Sequence, residues 1–559
     1  MPARKTPQAP LAQPPIPSPS MAHDDAPPTR STGPAAAFTL PVGLLAALLL
    51  AYAGACAFGL PQLGTAALLR SRDADNLASQ TAAALDNFHG ADGAADAADH
   101  GTGHTVAPPP AATLPFVLLL AAIAVFPLAP GVSHWWEHNA SKLLVAGLLA
   151  GVTLAFYALL HPHAVDLHFP AHAVVEPAGS GPNWATAAAV LANAILAEYV
   201  PFIALLLALY VITGGVRVEG DLVATPTTNT AFLALGAVLA SFIGTTGAAM
   251  LLVRPLLETN RERKLVAHTL VFFIFIVCNC GGCLLPIGDP PLFLGYLEGV
   301  DFLWTLSLWK PWAFANGVLL AAYWAWDSLL AYPREAARDI ARDERQTTPL
   351  RVRGLLPNLP LMAAVIAAVA LLDPSKPVPG TGWHPWIFLR EAVLVLLALA
   401  SLLVGDRRPR EANGFSWGAI LEVAVLFLGI FVCMQPALAL LHERGAALGL
   451  DSPRSFFWAT GALSSVLDNA PTYLVFFKAA QALPAEGVTM AGVEAGRLAG
   501  VSLGAVFLGA MTYIGNGPNF MVKAIAEQAG VRMPTFFGYL LWSFGILLPV
   551  FVLVSVLFL

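Results

Sequence analysis

Along the chain, apolar residues collect into long runs separated by short polar stretches, the pattern of helices that cross a bilayer. The first run, 38–60, is uncharged over 23 residues. It exceeds a signal-peptide core and, at about 1.5 Å per residue, can cross about 30 Å of hydrocarbon. Further runs occupy 113–130, 141–160, 188–212, 229–253, 265–299, 312–331, 355–372, 384–404, 416–441, 455–477, 496–522 and 534–559. Two carry turn chemistry at mid-run, Gly244-Thr245-Thr246-Gly247 and Asp468-Asn469-Ala470-Pro471. Non-helical backbone at membrane depth persists only where protein or a wet cavity receives its polar groups. Both runs are therefore predicted to be re-entrant helical hairpins that enter and leave on one side.

That prediction sorts the basic residues. With the N-terminus inside, eleven spans and two hairpins, 20 of the 29 Lys and Arg fall on one side. They include Arg334, Arg338, Arg342, Arg345, Arg351 and Arg353, as the positive-inside rule expects of a cytoplasmic face. The expected protein is a multi-pass inner-membrane protein with a cytoplasmic N-terminus and an external C-terminus. A Pro-, Ala- and Ser-rich tail over 1–37 lacks the periodic apolar residues needed to order itself, and Met21 is an alternative start. An extra transmembrane helix over 38–60 and an external acidic, His-containing loop over 61–112 follow, then peripheral helices over 113–187. A first repeat spans 188–331, a basic cytoplasmic loop 332–354, and a second repeat with its peripheral helices 355–559.

The repeats rest on three ordered matches. Ile287-Gly288-Asp289-Pro290-Pro291-Leu292-Phe293 aligns with Ile514-Gly515-Asn516-Gly517-Pro518-Asn519-Phe520, an offset of 514 − 287 = 227. The stretch from Ser241 aligns with that from Ser465 (465 − 241 = 224), and Leu207 with Leu428 (428 − 207 = 221). Each half then reads helix, hairpin, broken helix. Because 188–212 and 416–441 cross in opposite senses in this topology, the repeats are inverted. The expected fold is an all-α polytopic membrane protein, an inverted-repeat transporter with two re-entrant hairpins and two broken helices meeting near the midplane.

Candidate chemistry lies at those interruptions. Asp289 and Asp468 sit inside apolar runs, where an aspartate costs about 2.5–3.5 kcal/mol on insertion scales. Such a group suits exchange of a proton for a cation; one of the two could cap a half-helix N-terminus, and the two roles can coexist. Thr245, Thr246, Asn469, Thr472, Asn516 and Asn519 offer neutral oxygens beside unwound backbone, as a hard cation requires, or hydrogen-bond only their own turns. Gly244, Gly247, Gly288, Gly515 and Gly517 read as breaks needing unusual φ/ψ. Glu198 and Glu422 (422 − 198 = 224) are placed at the starts of paired helices, as a proton relay or as glutamates satisfying the helix dipole.

The order of hairpin, Gly288-Asp289-Pro290-Pro291 break and second hairpin carrying Leu467-Asp468-Asn469-Ala470-Pro471-Thr472 resembles the ion transporter superfamily. Within it the likeness is to NhaD-type sodium/proton antiporters, arsenite permeases and the citrate-transporter group, over roughly 115–559. The resemblance implies alternating access with ion sites at the two hairpin tips and two helix breaks. The expected activity is cation/proton antiport with Na⁺ as transported or coupling ion. Asp468, Asn469 and Asn516 would bind the cation, Asp289 would serve the first half, and Thr245 and Thr246 would complete the site. Cation-coupled transport of citrate or another organic anion is the alternative. No Lys or Arg lies at either tip or break to pair a carboxylate, but half-helix N-termini bind anions unaided.

Composition excludes other classes. The 559 residues are 57% hydrophobic and 11% charged, with mean hydropathy +0.68, against about 25% charged in soluble domains. A net charge of −6 argues against a nucleic-acid partner. No Gly-rich loop ending in Gly-Lys-Ser/Thr points to ATP-driven transport, and no cofactor is expected. Expected partners are the bilayer and a small ion or organic anion; a homodimer is compatible. Cys278, Cys280 and Cys283 raise soft-metal binding against simple close helix packing. His134, Glu137 and His138 match the H-x-x-E-H spelling of a zinc protease, a remote alternative that an interfacial turn also explains. The histidines 89, 100, 104, 161, 163, 168 and 172 could bind metal outside or simply be solvated.

Overall fold

The computed structural model describes residues 36–89, 106–167, 169–170, 173–179, 181–485 and 487–559, with the side chains of 36–39, 75–89 and 128 left aside. The expected tail thus lies outside the described residues except for its last two. So do His100, His104, His168 and His172, and the side chain of His89. Two units are distinguished, one ending at Leu44 and one covering Leu45–Leu559. The first holds the opening turns of helix Ala36–Ala57. All that follows concerns the second.

The chain is an all-α polytopic membrane protein. Among the described residues six helices are long and apolar enough to cross a bilayer, five of them wholly within this unit, including Asn139–Leu159, Trp184–Gly214, Trp417–Leu448 and Phe536–Phe558. Their outer faces carry exposed leucines such as Leu143, Leu144 and Leu148, which only lipid can cover at such density. Helices also occupy Leu114–Val125, Trp309–Trp326, Leu355–Leu371 and Leu389–Val404. The apolar runs read from sequence therefore become helices nearly end for end.

The two interrupted runs fold back on themselves. Hairpin 1 pairs Pro226–Ile243 with Thr245–Thr259 about Gly244, whose φ of 79° is one that residues with a Cβ rarely adopt. Its two ends meet: Asn229 and Asn260 exchange both amide hydrogen bonds at 2.8 Å, fully buried. Hairpin 2 pairs Pro453–Ser464 with Asn469–Gln481. Arg497 closes it by donating to the carbonyls of Asp451 at 3.0 Å and Pro484 at 2.8 Å. An unmatched buried amide costs the desolvation of the group left behind. Asn229→Ala is therefore expected to remove about 2 kcal/mol of stability, whereas replacing both Asn229 and Asn260 by Leu recovers most of it; thermal unfolding in detergent is the check.

Loops assigned to one side of the predicted topology join one another. At one end the Ala224 N–H donates to Asp343 at 2.8 Å, Asn413 donates to the Val216 carbonyl at 2.7 Å, and strand Arg217–Asp221 pairs antiparallel with Thr348–Arg353. At the other end Lys376 pairs with Asp301 at 3.1 Å and Lys478 with Glu298 at 2.5 Å, and Thr65 donates to the Pro385 carbonyl at 3.3 Å. Had hairpin 1 spanned, segments 213–228 and 254–264 would lie apart, yet the Leu222 N–H reaches Thr259 at 3.5 Å. The N–H of Leu303 and the Lys376 ammonium hold the Asp301 carboxyl below the usual range. A depressed folded pKa contributes stability above the unfolded value, lost as pH falls through the folded one. Asp301 is half-exposed, so solvent weakens the effect.

Three expectations need correction. The stretch 61–112 is not a loop throughout, because Leu60–His89 is helical. Its aspartates suggest solvation, but between Pro61 and Gly90 there is no proline and one glycine, and alanine and leucine dominate. The basic loop 332–354 holds a helix, Ala337–Asp343, and the strand just described. Glu198 is not at a helix start: its helix begins at Trp184, and Glu198 lies midway, in a π-helical stretch Asn193–Tyr199, whereas Glu422 is in the second turn of Trp417–Arg444.

Candidate functional site

Two breaks bring half-helices to one point. Broken helix 1 runs Ala267–Ile276, passes a 3-10 turn at Cys280–Cys283 and resumes as Pro290–Leu297. Broken helix 2 runs Ala495–Leu508, passes a 3-10 turn at Gly509–Met511 and resumes as Gly517–Gln528. Proline in the first two positions of each resumed half presets φ where no N–H is needed. The second arm of each hairpin packs on the resumed half of the other repeat: Thr245–Thr259 on Gly517–Gln528, and Asn469–Gln481 on Pro290–Leu297. This exchange is what two repeats related by a two-fold axis produce.

Asp289 sits where they cross, 1% exposed. Its Oδ1 accepts from the Thr245 hydroxyl at 2.8 Å and from Asn516 Nδ2 at 3.1 Å; its Oδ2 accepts from Asn469 Nδ2 at 2.7 Å. Thr245 and Asn469 are equivalent under the offset of 224, and Asp289 and Asn516 under 227. Both hairpin tips therefore converge on both breaks. Four half-helices begin here, at Thr245, Pro290, Asn469 and Gly517. Their positive ends face a carboxylate whose hydrogen-bond partners are all neutral.

The other expected residues divide. Asn516 also approaches the Cys278 carbonyl at 3.0 Å, and Asn519 donates to the carbonyls of Gly509 at 2.9 Å and Thr512 at 3.0 Å, tying break 2 together. Thr246 is half-buried beside Thr245. Asp468 caps hairpin 2, its Oδ1 accepting from the Ala470 N–H at 3.0 Å, and Thr472 donates to the Asp468 carbonyl at 2.9 Å. The capping reading thus describes Asp468, while Asp289, at the cap position of its own half-helix, makes no cap bond. Gly288 and Gly515 do not have positive φ. They are needed for space: a Cβ on Gly288 would lie 2.2 Å from the Gly282 carbonyl oxygen, and one on Gly515 would lie 2.6 Å from those of Gly509 and Ser464.

Glu198 accepts from Gln435 Nε2 at 3.2 Å, and Glu422 pairs with Lys142 at 2.6 Å, so matched positions carry different contacts. Cys278, Cys280 and Cys283 are free thiols, fully buried. Among the described residues neither these thiols nor His134, Glu137 and His138 form a convergent ligand set. His134 and Glu137 make an exposed pair at 3.3 Å, and His161 stacks edge-on to His163.

Asn279 is not among the residues the sequence pattern singles out. Fully buried, it donates to Asn519 Oδ1 and to the Ile274 carbonyl, both at 2.8 Å, and its Oδ1 faces Asn516 Nδ2 at 3.3 Å. It links break 1 to break 2. An amide in the middle of an apolar run was the signal, masked by the two cysteines flanking it. Asn279→Ala leaves Asn519 and Asn516 short of a partner, and a transport rate lowered about 10-fold is expected at a cost of about 1.4 kcal/mol; a rate within twofold of wild type would contradict this.

The family model described as "Putative citrate transport" covers residues 106–559. No curated protein matches the chain.

Proposed function

The chain belongs to the citrate transport family, and on that premise we propose that it is a secondary active transporter carrying a carboxylate-bearing organic anion together with a cation, Na⁺ or H⁺. The observation that carries this reading is the meeting of four half-helix N-termini around Asp289. Helix N-termini attract anions, and Asp289 already places one there. A second carboxylate about 4 Å away would be repelled by about 4 kcal/mol at an effective dielectric near 20. A cation or proton on Asp289 removes that repulsion. Anion binding then depends on the cation, which is coupling in its simplest form. A hard cation needs further oxygens; the break carbonyls of Cys278, Gly509 and Thr512, now bonded by Asn516 and Asn519, would exchange those amides for the ion.

In this reading Thr245, Asn469 and Asn516 orient Asp289 in one state and release it as the repeats rock. The loops rich in arginine face the cytoplasm by the positive-inside rule, in an inner membrane, with the C-terminus outside. Glu198 would pass protons through its π-helical turn.

A second reading, cation/proton exchange without an anion, is favoured by the same carboxylate having only neutral partners. Proteoliposomes separate the two. Uptake of labelled citrate driven by a Na⁺ or pH gradient is expected. Sodium-induced collapse of ΔpH with no uptake of citrate or related carboxylates would overturn the first reading for the second. Thr245→Ala and Asn469→Ala each remove one bond to Asp289, and each is expected to weaken the apparent cation affinity about 10-fold, at about 1.4 kcal/mol per decade, with the maximum rate less affected.

A further inference from the structure

At the end of the molecule away from the hairpin tips, three segments bring carboxylates together: Asp221 closes strand Arg217–Asp221, Glu262 follows hairpin 1, and Asp343 ends helix Ala337–Asp343. One oxygen of each lies within 4.8 Å of the others. Asp221 and Asp343 are 6% and 5% exposed, and the Glu262 side chain 5%. Each of the three has one buried oxygen with no hydrogen-bond partner: Asp221 Oδ1, Glu262 Oε2 and Asp343 Oδ1. The opposite oxygens of two are occupied, Asp343 Oδ2 by the Ala224 N–H at 2.8 Å and Glu262 Oε1 by Arg261 at 3.2 Å.

We propose that Asp221, Glu262 and Asp343 form a divalent-cation site, separate from the transport site, that ties the linker between the two repeats to the base of hairpin 1. Buried carboxylates left without donors are costly, and three in one place repel. The basic groups nearby answer them only in part: Arg261, which pairs with Glu262, is more than half exposed and shared with Glu258, and Arg263 is bonded to Asp327 and Glu335. Glu258 and Glu344 add further negative charge at Asp221 and Asp343 respectively. A single shared proton bridges two carboxylates and leaves the third, whereas a divalent cation receives all three oxygens. Two oxygens bound to one ion lie at most twice the metal–oxygen bond apart, about 4.8 Å for Ca²⁺ and about 4.2 Å for Mg²⁺, and the three oxygens here fall within 4.8 Å of one another. Burial, reinforced by the neighbouring carboxylates, raises the Asp221 and Asp343 pKa values, opposed only in part by Arg261 at Asp221 and by the Ala224 N–H and Arg263 at Asp343. Helix Thr245–Thr259, 15 residues, separates Glu262 from the hairpin tip by about 21 Å at 1.5 Å per residue.

The test uses the full-length protein in detergent, with Ca²⁺ and Mg²⁺ added separately after chelation and without any organic anion, so that it stands whatever the cargo. Saturable binding by calorimetry, with a rise in Tm, is expected for at least one of the two ions. Asp221→Asn/Asp343→Asn should weaken that binding at least 10-fold while the metal-free Tm equals or exceeds wild type, because repulsion is relieved. Glu262→Gln, a single and milder change, serves if the double variant does not fold, with the same expected loss. Absence of saturable binding by either ion would overturn the proposal, as would binding unchanged in the variants. A Tm that rises on acidification but not with metal would assign the cluster to protons alone and overturn it too. Loss of transport in Asp289→Asn with metal binding intact would leave this site standing beside the proposed function.

Discussion

Asp289→Asn is expected to lower transport at least 100-fold without unfolding the protein. The replacement has the same shape but no charge, and its amide would present a donor to partners that themselves donate, Thr245, Asn469 and Asn516. A cation would lose its anionic ligand, and the switch between repelling and admitting a substrate carboxylate would disappear. A 100-fold loss corresponds to about 2.7 kcal/mol at 1.36 kcal/mol per decade. Stability should not fall in parallel, because a buried charge without a cationic partner is unfavourable and its removal offsets the weakened hydrogen bonds. Uptake into proteoliposomes beside thermal unfolding of the same preparation tests both halves. Uptake within threefold of wild type would place the coupling elsewhere.

Gly288→Ala is expected to act through structure, with a loss of about 3 kcal/mol or more, toward the upper end for overpacked sites. The new Cβ would lie 2.2 Å from the Gly282 carbonyl oxygen and 3.0 Å from that of Leu285. Both are backbone atoms of the break, so neither can swing aside as a long side chain would. The Gly288 carbonyl accepts from the Thr245 N–H at 2.8 Å, so any shift reaches the hairpin tip as well. Gly515→Ala, with contacts of 2.6 Å, should show the same defect in the second repeat to a smaller degree. A Tm for Gly288→Ala within 1 °C of wild type would mean that the break relaxes freely.

The chain's own pattern determined most of the architecture. Apolar runs set where helices form because a spanning backbone must bond within itself and show lipid an apolar face. Gly244 and Asp468 marked the hairpin turns because a turn at membrane depth needs chemistry that a spanning helix would exclude. The offsets of 224 and 227 paired Thr245 with Asn469 and Asp289 with Asn516, and these four side chains meet. Helix Leu60–His89 was obscured because charge count says little about helix propensity, and strand Thr348–Arg353 because its only pairing partner lies over 120 residues upstream, at Arg217–Asp221.

Tertiary structure alone decided what each polar residue does. Asp289 and Asp468 have equal standing in the sequence, each an aspartate within an apolar run beside a turn. In space one receives both hairpin tips and the second break, and the other caps its own helix. Asn279 gains its place only because the second break comes within hydrogen-bonding reach of the first. The glycines at 288 and 515 are required by the closeness of neighbouring carbonyls and not by their own φ. Asp221, Glu262 and Asp343 are unremarkable loop acids until the fold buries them side by side. The physical reason is the same throughout: hydropathy is a sum over local neighbours, whereas a binding site depends on the direction of single atoms from segments far apart in sequence.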